Sequence, residues 1–231
     1  MSSARIPRFK GARNRFTFAL YCSSLLVASN GMLMGCDRKH TQNSVHFYGA
    51  LNSSVSARPQ LSGFATQLGQ VVAQLEPDHD HVTLFRVDDT TSEIADGSAS
   101  LTPDHLQQTL ITTLKPLSAH DDTLTEHLWT ALAKQVAHEG RPTIICFWTD
   151  GYSEGTSAAG HKQIAETAAK LALNPHVKGV VLIGLKPATR AEVRTDLAAL
   201  EQKLGPTRFL LLDGTAEDLN QITTLIDSAR E

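Results

Sequence analysis

The chain has 231 residues, of which 41% are hydrophobic and 19% are charged, and this balance fits one soluble domain plus a short appendage. Five of its 21 basic residues lie in the first 15 positions, a stretch without acidic residues. Without them, 16 basic residues stand against 24 acidic ones, so the formal charge moves from −3 to −8. An acidic domain lacks the basic face that nucleic-acid binding requires, and we therefore expect no nucleic-acid partner.

The basic start is followed by an apolar run, Phe16–Val27, which is too short to span a bilayer comfortably. A basic segment followed by such a run is typical of a secretory signal. The leader ends in Leu33-Met34-Gly35-Cys36, which resembles a bacterial lipobox, in which cleavage precedes a cysteine that is then acylated. We therefore expect residues 1–35 to be a lipoprotein signal peptide, and Cys36 to carry the lipid. An ordinary signal peptide with a chance cysteine, or an N-terminal membrane anchor, is the alternative.

The predicted anchor places the protein at the cell membrane, on its extracytoplasmic face, with residues 36–43 as a polar tether. Asp37 follows the predicted lipid-bearing cysteine. By resemblance to enteric lipoproteins, an aspartate there implies retention in the inner membrane, facing the periplasm, if the bacterium has two membranes. Cys146 would be the one other cysteine of the mature chain, so no disulfide is expected within it. Its apolar surroundings predict a small core residue.

Strands and helices are predicted to alternate along residues 44–231, which show no sign of a boundary between domains. In chain order, the hydrophobic patterns predict strand Val45–Leu51, helix Arg58–Leu75, strand His81–Val87, short strand Ser92–Ala95, helix Thr102–Leu114, helix Leu124–Ala137, strand Pro142–Thr149, helix Ala158–Leu173, strand Val177–Ile183, helix Thr189–Leu204, strand Arg208–Leu212 and helix Ala216–Ala229. This order indicates an α/β fold with three layers, Rossmann-like, with helices on both faces of a mostly parallel six-stranded sheet. One short edge strand, Ser92–Ala95, is expected to be antiparallel.

Short oxygen-bearing side chains cluster at three places in this pattern. Asn52–Ser56 follows the first strand, Asp121–Thr123 precedes the helix at Leu124, and Thr149-Asp150-Gly151 ends the fourth strand. In a parallel sheet these loops meet at the carboxyl edge, where open α/β sheets bind ligands. Oxygen ligands without histidine or cysteine suit a hard cation such as Mg²⁺.

These motifs resemble the von Willebrand factor A domain family, which includes integrin I domains. The family's metal-ion-dependent adhesion site uses Asp-x-Ser-x-Ser after the first strand, a Thr in a middle loop and an Asp in a Thr-Asp-Gly-like turn. The resemblance implies that Ser54, Ser56 and Thr123 bind Mg²⁺ directly, with Mn²⁺ or Ca²⁺ as substitutes. It also implies that Asp150 and Asn52 hold metal-bound waters, and that one position stays open for a carboxylate of the partner.

Asn52 departs from the family pattern, because it stands where the family has an aspartate and so removes one negative charge. Asp121 or Asp122 could restore that charge. Alternatively, the hydroxyls and the aspartate only cap helices and loops. The sequence therefore leaves open whether this site binds a metal or serves a metal-free scaffold.

The function expected from the sequence is that of a membrane-anchored, extracytoplasmic binding protein whose partner is an unknown envelope protein. The alternative is a metal-free structural subunit of an envelope complex. A hydrolase using Ser54 as its nucleophile has less support, since neither a Gly-x-Ser-x-Gly elbow nor a glycine-rich phosphate loop is present. We therefore expect no enzyme.

Two histidine-containing stretches, His79-Asp80-His81 and His120-Asp121-Asp122, carry metal-ligand residue types. Zinc needs three or four such ligands that converge in space. Separate pairs in polar turns are usually solvated, and we interpret both stretches in this way.

Overall fold

The structure, a computed structural model, describes residues 43–98, 124–152 and 155–231. The predicted signal peptide with Cys36, nearly all of the tether, the predicted helix Thr102–Leu114 and the candidate ligand Thr123 lie outside these residues.

Within the described residues, six strands form one sheet in the order β3-β2-β1-β4-β5-β6. They are β1 (His46–Asn52), β2 (His81–Val87), β3 (Thr91–Ser98), β4 (Thr143–Trp148), β5 (Val177–Ile183) and β6 (Phe209–Leu212). All neighbouring strands are parallel except β3, which runs antiparallel to β2 at the edge. The predicted α/β fold class is therefore confirmed, and only the edge strand β3 is longer than expected.

Six α-helices cover the two faces of the sheet in the described part of the chain. They are α1 (Arg58–Val72), α2 (Thr125–Val136), α3 (Ala158–Leu173), α4 (Arg190–Asp196), α5 (Ala198–Leu204) and α6 (Ala216–Arg230). Helices α1 and α6 pack on one face, and α2 to α5 pack on the other. None of the described helices is both long enough and apolar enough to cross a membrane.

Strand β1 lies in the middle of the sheet and contributes to both hydrophobic cores. Phe47 and Leu51 belong to the core beneath α1 and α6, while Tyr48 and Ala50 belong to the opposite core. This alternation follows from the two-residue period of a strand. Cys146 is fully buried in β4, as predicted for a core residue, and burial raises the pKa of its thiol.

One predicted helix is divided in the structure. The segment expected as a single helix from Thr189 to Leu204 consists of a 3₁₀ turn, Pro187–Thr189, followed by α4 and α5, which meet at Leu197. The break comes directly after Asp196, whose carboxylate is buried and accepts a hydrogen bond from His161 Nδ1 at 2.7 Å. Side-chain periodicity alone did not reveal this break, because the buried leucines keep a helical spacing across it.

The last helix is attached to the start of the described domain. Asn43 donates hydrogen bonds to the carbonyl of Arg230 from its backbone N at 3.2 Å and from Nδ2 at 3.1 Å. The buried guanidinium of Arg230 contacts Asp80, which is also buried. Asp80 in turn accepts hydrogen bonds from the backbone N–H groups of Val45 at 2.9 Å and Glu76 at 2.8 Å. A buried ion pair therefore joins β2, β1 and α6 at the amino edge of the sheet.

Candidate binding site at the carboxyl edge of the sheet

The candidate site begins where β1 and β4 end side by side. Leu51 of β1 lies opposite Trp148 of β4, so that Asn52 and Thr149 leave the sheet as neighbours. Asn52, Thr149 and Asp150 are at most 2% exposed. The prediction that the stretches after β1 and β4 meet at the carboxyl edge is therefore confirmed, whereas the third stretch, Asp121–Thr123, lies outside the described residues.

Asn52 connects the loop after β1 with the loop after β4. Its Oδ1 accepts a hydrogen bond from Ser54 N at 2.9 Å, which directs Nδ2 toward the other loop. Nδ2 donates to Thr149 Oγ1 at 3.0 Å and to Asp150 Oδ1 at 3.4 Å. The backbone donor fixes the orientation of the amide, because an N–H group needs an acceptor. Asn52 thus presents a hydrogen-bond donor, and not an oxygen, to the buried carboxylate of Asp150.

Lys186 provides the positive charge nearest to Asp150 in the described residues. Its Nζ lies 3.2 Å from Asp150 Oδ2, and its backbone N donates to the carbonyl of Asp150 at 3.2 Å. About 52% of the lysine side chain is exposed, against 2% for the aspartate. Gly184 makes the turn between β5 and the lysine at φ 87°, a left-handed conformation that favours glycine. The carboxylate of Asp150 is therefore balanced by a side chain of the protein itself.

Ser54 and Ser56 keep a spacing that suits a divalent cation. Their Oγ atoms are 3.1 Å apart. Neighbouring ligands of an octahedral Mg²⁺ lie roughly 3 Å apart, because each Mg–O bond is about 2.1 Å. The hydroxyl half of the predicted site therefore fits Mg²⁺.

The acidic half of that site does not fit Mg²⁺ in the same way. Asn52 is neutral, and Asp150 already pairs with the ammonium of Lys186. A divalent cation bound here would have to compete with that ammonium for the carboxylate. The metal roles inferred for Asn52, Ser54, Ser56 and Asp150 stay predictions, as does that of Thr123, which lies outside the described residues.

Sequence reasoning missed a buried ion pair beside this edge. Arg86 on β2 contacts Asp88 through its guanidinium and donates from Nε to Ser53 Oγ at 2.9 Å. Burial alone would raise the pKa of Asp88, but hydrogen bonds from Thr90 and Arg86 outweigh it and lower the pKa. Ser53, the residue between the two motif positions Asn52 and Ser54, is thereby held by β2. A charged residue inside an otherwise apolar strand was the signal that could have revealed this pair.

The histidines need a correction. His81 is the first residue of β2, in agreement with the predicted strand His81–Val87, and it lies opposite His46, the first residue of β1. The interpretation of His81 as a solvated turn residue does not hold, because its Nε2 contacts Asp96 at 2.9 Å. One potential ligand atom from each of His46, His81 and Asp96 lies within 4.8 Å of the other two. A histidine at the start of two neighbouring parallel strands was the sequence signal for this group. His120 lies outside the described residues.

Two pKa values at this second location are shifted far from their ordinary range. Burial lowers the pKa of His46 to about 4, although the neighbouring Glu139 acts in the opposite direction. Burial alone would raise the pKa of Glu139, but hydrogen bonds from Arg141 and His46 lower it to about 2. At neutral pH the structure therefore holds an ionised Glu139 against a neutral imidazole.

Comparisons of the sequence give no relatives: no protein-family profile matches it, and no curated protein matches it. Comparisons of the fold give many similar solved structures. The chain superimposes on proximal thread matrix protein 1 from the mussel byssus, solved with a zinc-occupied MIDAS motif, with a TM-score of 0.61 and 11% identity over 80% of this chain and 46% of that one. It matches the manganese-loaded Plasmodium vivax TRAP protein with a TM-score of 0.60 and 16% identity over 80% of this chain and 74% of that one.

A von Willebrand factor type A protein from Catenulispora acidiphila matches with a TM-score of 0.58 and 14% identity, over 79% of this chain and 42% of that one. The chain thus spans less than half the length of the mussel and Catenulispora proteins. Identities this low carry information about the fold alone. With its sheet order, its single antiparallel edge strand and its helices on both faces, the chain has the fold of a von Willebrand factor A domain.

Proposed function

We propose that this protein is a lipid-anchored, extracytoplasmic binding domain that holds a partner protein of the cell envelope at the carboxyl edge of its sheet. The observation that supports this most is the pair of Lys186 and Asp150, in which the ammonium of a half-exposed lysine side chain contacts a buried carboxylate. The backbone of Lys186 is held by the carbonyl of Asp150 and its side chain is half exposed, which suits binding rather than packing.

The chemical group we expect to be bound is a carboxylate of the partner. An ammonium has three N–H donors, so it can contact Asp150 and a second carboxylate together. In the resembling family the charge at this place comes from a metal ion. Here Lys186 supplies it, and the neutral Asn52 removes the acidic group that would otherwise need a metal to balance it. The proposed mode of binding is therefore independent of metal.

Cation-dependent binding is the second candidate, and the 3.1 Å separation of the Ser54 and Ser56 hydroxyls favours it. Mg²⁺, or Mn²⁺ or Ca²⁺ in its place, would be held by these hydroxyls together with Thr123, and by Asp150 through water. With only Asp150 certain to contribute charge, and Lys186 in competition for it, such a site would be weak. Partner binding that disappears in a chelator would favour this candidate over the metal-free one.

Binding rather than catalysis is the better match for the same residues. Ser54, the nucleophile of a hydrolase at this edge, has its Oγ against the hydroxyl of Ser56. A hydroxyl does not act as the general base that a serine nucleophile needs. We therefore include no catalytic step in the proposal.

The membrane attachment is part of the proposal and is supported by the lipobox-like sequence at Cys36. Two acyl chains give durable anchoring, whereas one alone binds reversibly. Changing Cys36→Ser should block processing, so that the precursor keeps its leader. Recovery of mutant protein of mature length in the membrane fraction would contradict the assignment.

The binding edge can be tested with two positions on one helix. Gln60 is exposed in the first turn of α1, beside the carboxyl edge, and Gln74 is exposed just after its last turn, at the opposite end. A photo-crosslinking amino acid placed at each position in intact cells should give a defined protein adduct from position 60 and none from position 74. The adduct should fall several-fold with Lys186→Met, and stay unchanged with the matched control Lys170→Met on the exposed surface of α3. Equal adducts from both positions, or no effect of Lys186→Met, would refute the proposal.

A further inference from the structure

A second group of ligand-type side chains lies at the amino edge of the sheet. His46 and His81 are the first residues of β1 and β2, and Asp96 lies near the end of the antiparallel strand β3. Asn52, at the other end of β1, lies six positions after His46, about 20 Å away at 3.3 Å per residue, so this group is separate from the carboxyl edge. Its chemistry also differs, since two imidazoles replace the hydroxyls.

We propose that His46, His81 and Asp96 form a binding site for a divalent transition metal, with Zn²⁺ as the expected ion. Two imidazole nitrogens and one carboxylate oxygen are a ligand set typical of zinc sites that leave a fourth position open. The same set is a poor one for Mg²⁺, which prefers oxygen and retains its water.

The distances allow the three ligands to close on one ion. His81 Nε2 lies 2.9 Å from Asp96 Oδ1, and the third ligand atom is within 4.8 Å of both. Ligands of a tetrahedral zinc lie roughly 3.4 Å apart, because the bonds are about 2.0–2.1 Å. A movement of about 1 Å is therefore needed. Asp96 has half of its side chain exposed and His81 a quarter, so both can move, whereas His46 is buried and provides the fixed ligand.

Glu139 orients His46 in the manner of a metal ligand's supporting carboxylate. It contacts His46 Nδ1, and it is itself held by Arg141, whose Nε and Nη2 donate to it at 2.8 and 2.9 Å. A carboxylate on one ring nitrogen fixes the tautomer, so that the other nitrogen keeps its lone pair for a metal. His46 Nε2 is the nitrogen left on the side of Thr83, Asp96 and His81.

Thr83 lies between two of the proposed ligands, His46 and Asp96, and contacts both. Its Oγ1 lies 2.8 Å from His46 Nε2 and 2.7 Å from Asp96 Oδ1. The hydroxyl has a single proton, so it can donate to only one of these two acceptors. If Thr83 donates to Asp96, its contact with His46 brings two lone pairs of buried groups together, which is unfavourable. A cation bound by His46 Nε2 and Asp96 removes the conflict, because both lone pairs then point at the ion.

The fourth position opens into a shallow cavity of about 350 Å³, which Lys134, Gln135 and His138 also line. Water, or a donor from another protein, can therefore complete the coordination from solvent. An ion here would also join three segments that are distant along the chain, namely the start of β1, the β2–β3 hairpin and, through Glu139, the loop before β4.

The test is zinc binding to the full-length protein after removal of metal by chelation. Competition with a chromophoric chelator should show Zn²⁺ bound at this site, and His81→Ala and Asp96→Ala should each weaken its affinity by at least a hundredfold. Glu139→Gln should weaken it about 10- to 100-fold, the range found for residues that orient a metal ligand. With Co²⁺ in place of zinc, the visible absorption of a four-coordinate ion should appear in wild type and be lost in His81→Ala.

His161→Ala is the matched control, because His161 also contacts two carboxylates, Asp196 and Glu192, but from opposite ring nitrogens, so that these contacts do not converge. It should bind Zn²⁺ like wild type. Circular dichroism of every metal-free variant excludes unfolding as the cause of lost binding. Equal zinc affinity in wild type, His81→Ala and Asp96→Ala overturns the proposal, and so does an equal loss in His161→Ala.

Discussion

The two edges of the sheet solve the problem of buried charge in different ways. At the carboxyl edge, Asp150 accepts a hydrogen bond from the amide of Asn52 and pairs with the ammonium of Lys186, so its negative charge is balanced by the protein. At the amino edge, Thr83 stands between two acceptors with one proton to give. At the carboxyl edge, where the resembling family binds its metal, the candidate site thus has a cation of its own in Lys186. At the amino edge, His46, His81 and Asp96 are potential metal ligands.

The ion pair of Asp80 with Arg230 at the amino edge and that of Asp150 with Lys186 at the carboxyl edge also differ in their burial. Asp80 and Arg230 at the amino edge are at most 5% exposed in their side chains, whereas Lys186 at the carboxyl edge is half exposed. Removing one partner of a buried ion pair destabilises a protein far more than removing one partner of an exposed pair. The reason is that the remaining charge stays in a medium of low polarity. Disruption of the first pair should therefore destabilise the fold, and disruption of the second should alter binding.

The largest expected effect is that of Asp80→Ala. It leaves the guanidinium of Arg230 without its buried partner and two backbone N–H groups without an acceptor. We expect the free energy of unfolding to fall by about 3–5 kcal/mol, measured by urea denaturation. Asp227→Ala is the control, because Asp227 also contacts Arg230 but is 64% exposed. Its cost should stay below about 1 kcal/mol, and comparable losses in the two variants would mean that burial does not distinguish them.

Asn52→Asp should have the next largest effect. It replaces an amide donor at 3.4 Å from Asp150 with a second carboxylate, so the cation-free protein should lose about 1–3 kcal/mol of stability. The same change adds one charge for a divalent ion, and calorimetric titration should show Mg²⁺ affinity rising roughly ten- to a hundredfold. Asn220→Asp, at an exposed position of α6, makes the same change in net charge. If both variants melt and bind Mg²⁺ alike, Asn52 does not lie beside a metal position.

Lys186→Met tests whether the lysine keeps divalent ions out. Removing the ammonium releases the Asp150 carboxylate, and millimolar Mg²⁺ or Mn²⁺ should then raise the melting temperature more than it does in wild type. Adding Asp150→Ala should abolish that rise, and Lys170→Met should behave like wild type. A cation-induced rise as large in wild type as in Lys186→Met would show that no competition exists. The companion change Thr123→Ala should reduce any such rise, as expected for a direct ligand.

The smallest effect concerns His161, which lies on α3 away from the amino edge. The hydrogen bond to Asp196 raises the pKa of His161, and Glu192 acts in the same direction. A raised folded-state pKa means that the pair stabilises fully below the ordinary histidine pKa of about 6.5, and that this stability is lost as pH rises through the folded-state value. His161→Gln should therefore lower the melting temperature more at pH 5.5 than at pH 8.5. The corresponding difference in the free energy of unfolding should be at most about 1 kcal/mol. A loss of the same size at the two pH values would contradict this prediction.

Sequence reasoning reached the fold because apolar runs and helical periods follow directly from burial. It also placed Asn52 and Asp150 together, since parallel strands bring their carboxyl ends to one edge. It did not find Lys186, because the contact with Asp150 depends on the left-handed turn at Gly184 and on a partner 36 positions earlier in the chain. It separated His81 from His46 and Asp96, because strand pairing, and not spacing along the chain, brings them together. The role of Thr123 stays a prediction.

The hydrogen bonds between Asn43 and the carbonyl of Arg230 bring the two ends of the described domain together. The path of the chain is therefore almost a closed ring. A short peptide between residues 231 and 43 would close this ring, and new termini could be opened in an exposed connection elsewhere without loss of a strand. The same proximity of the ends would allow the domain to be inserted into a surface loop of another protein, with both junctions at the amino edge and the carboxyl edge on the opposite side.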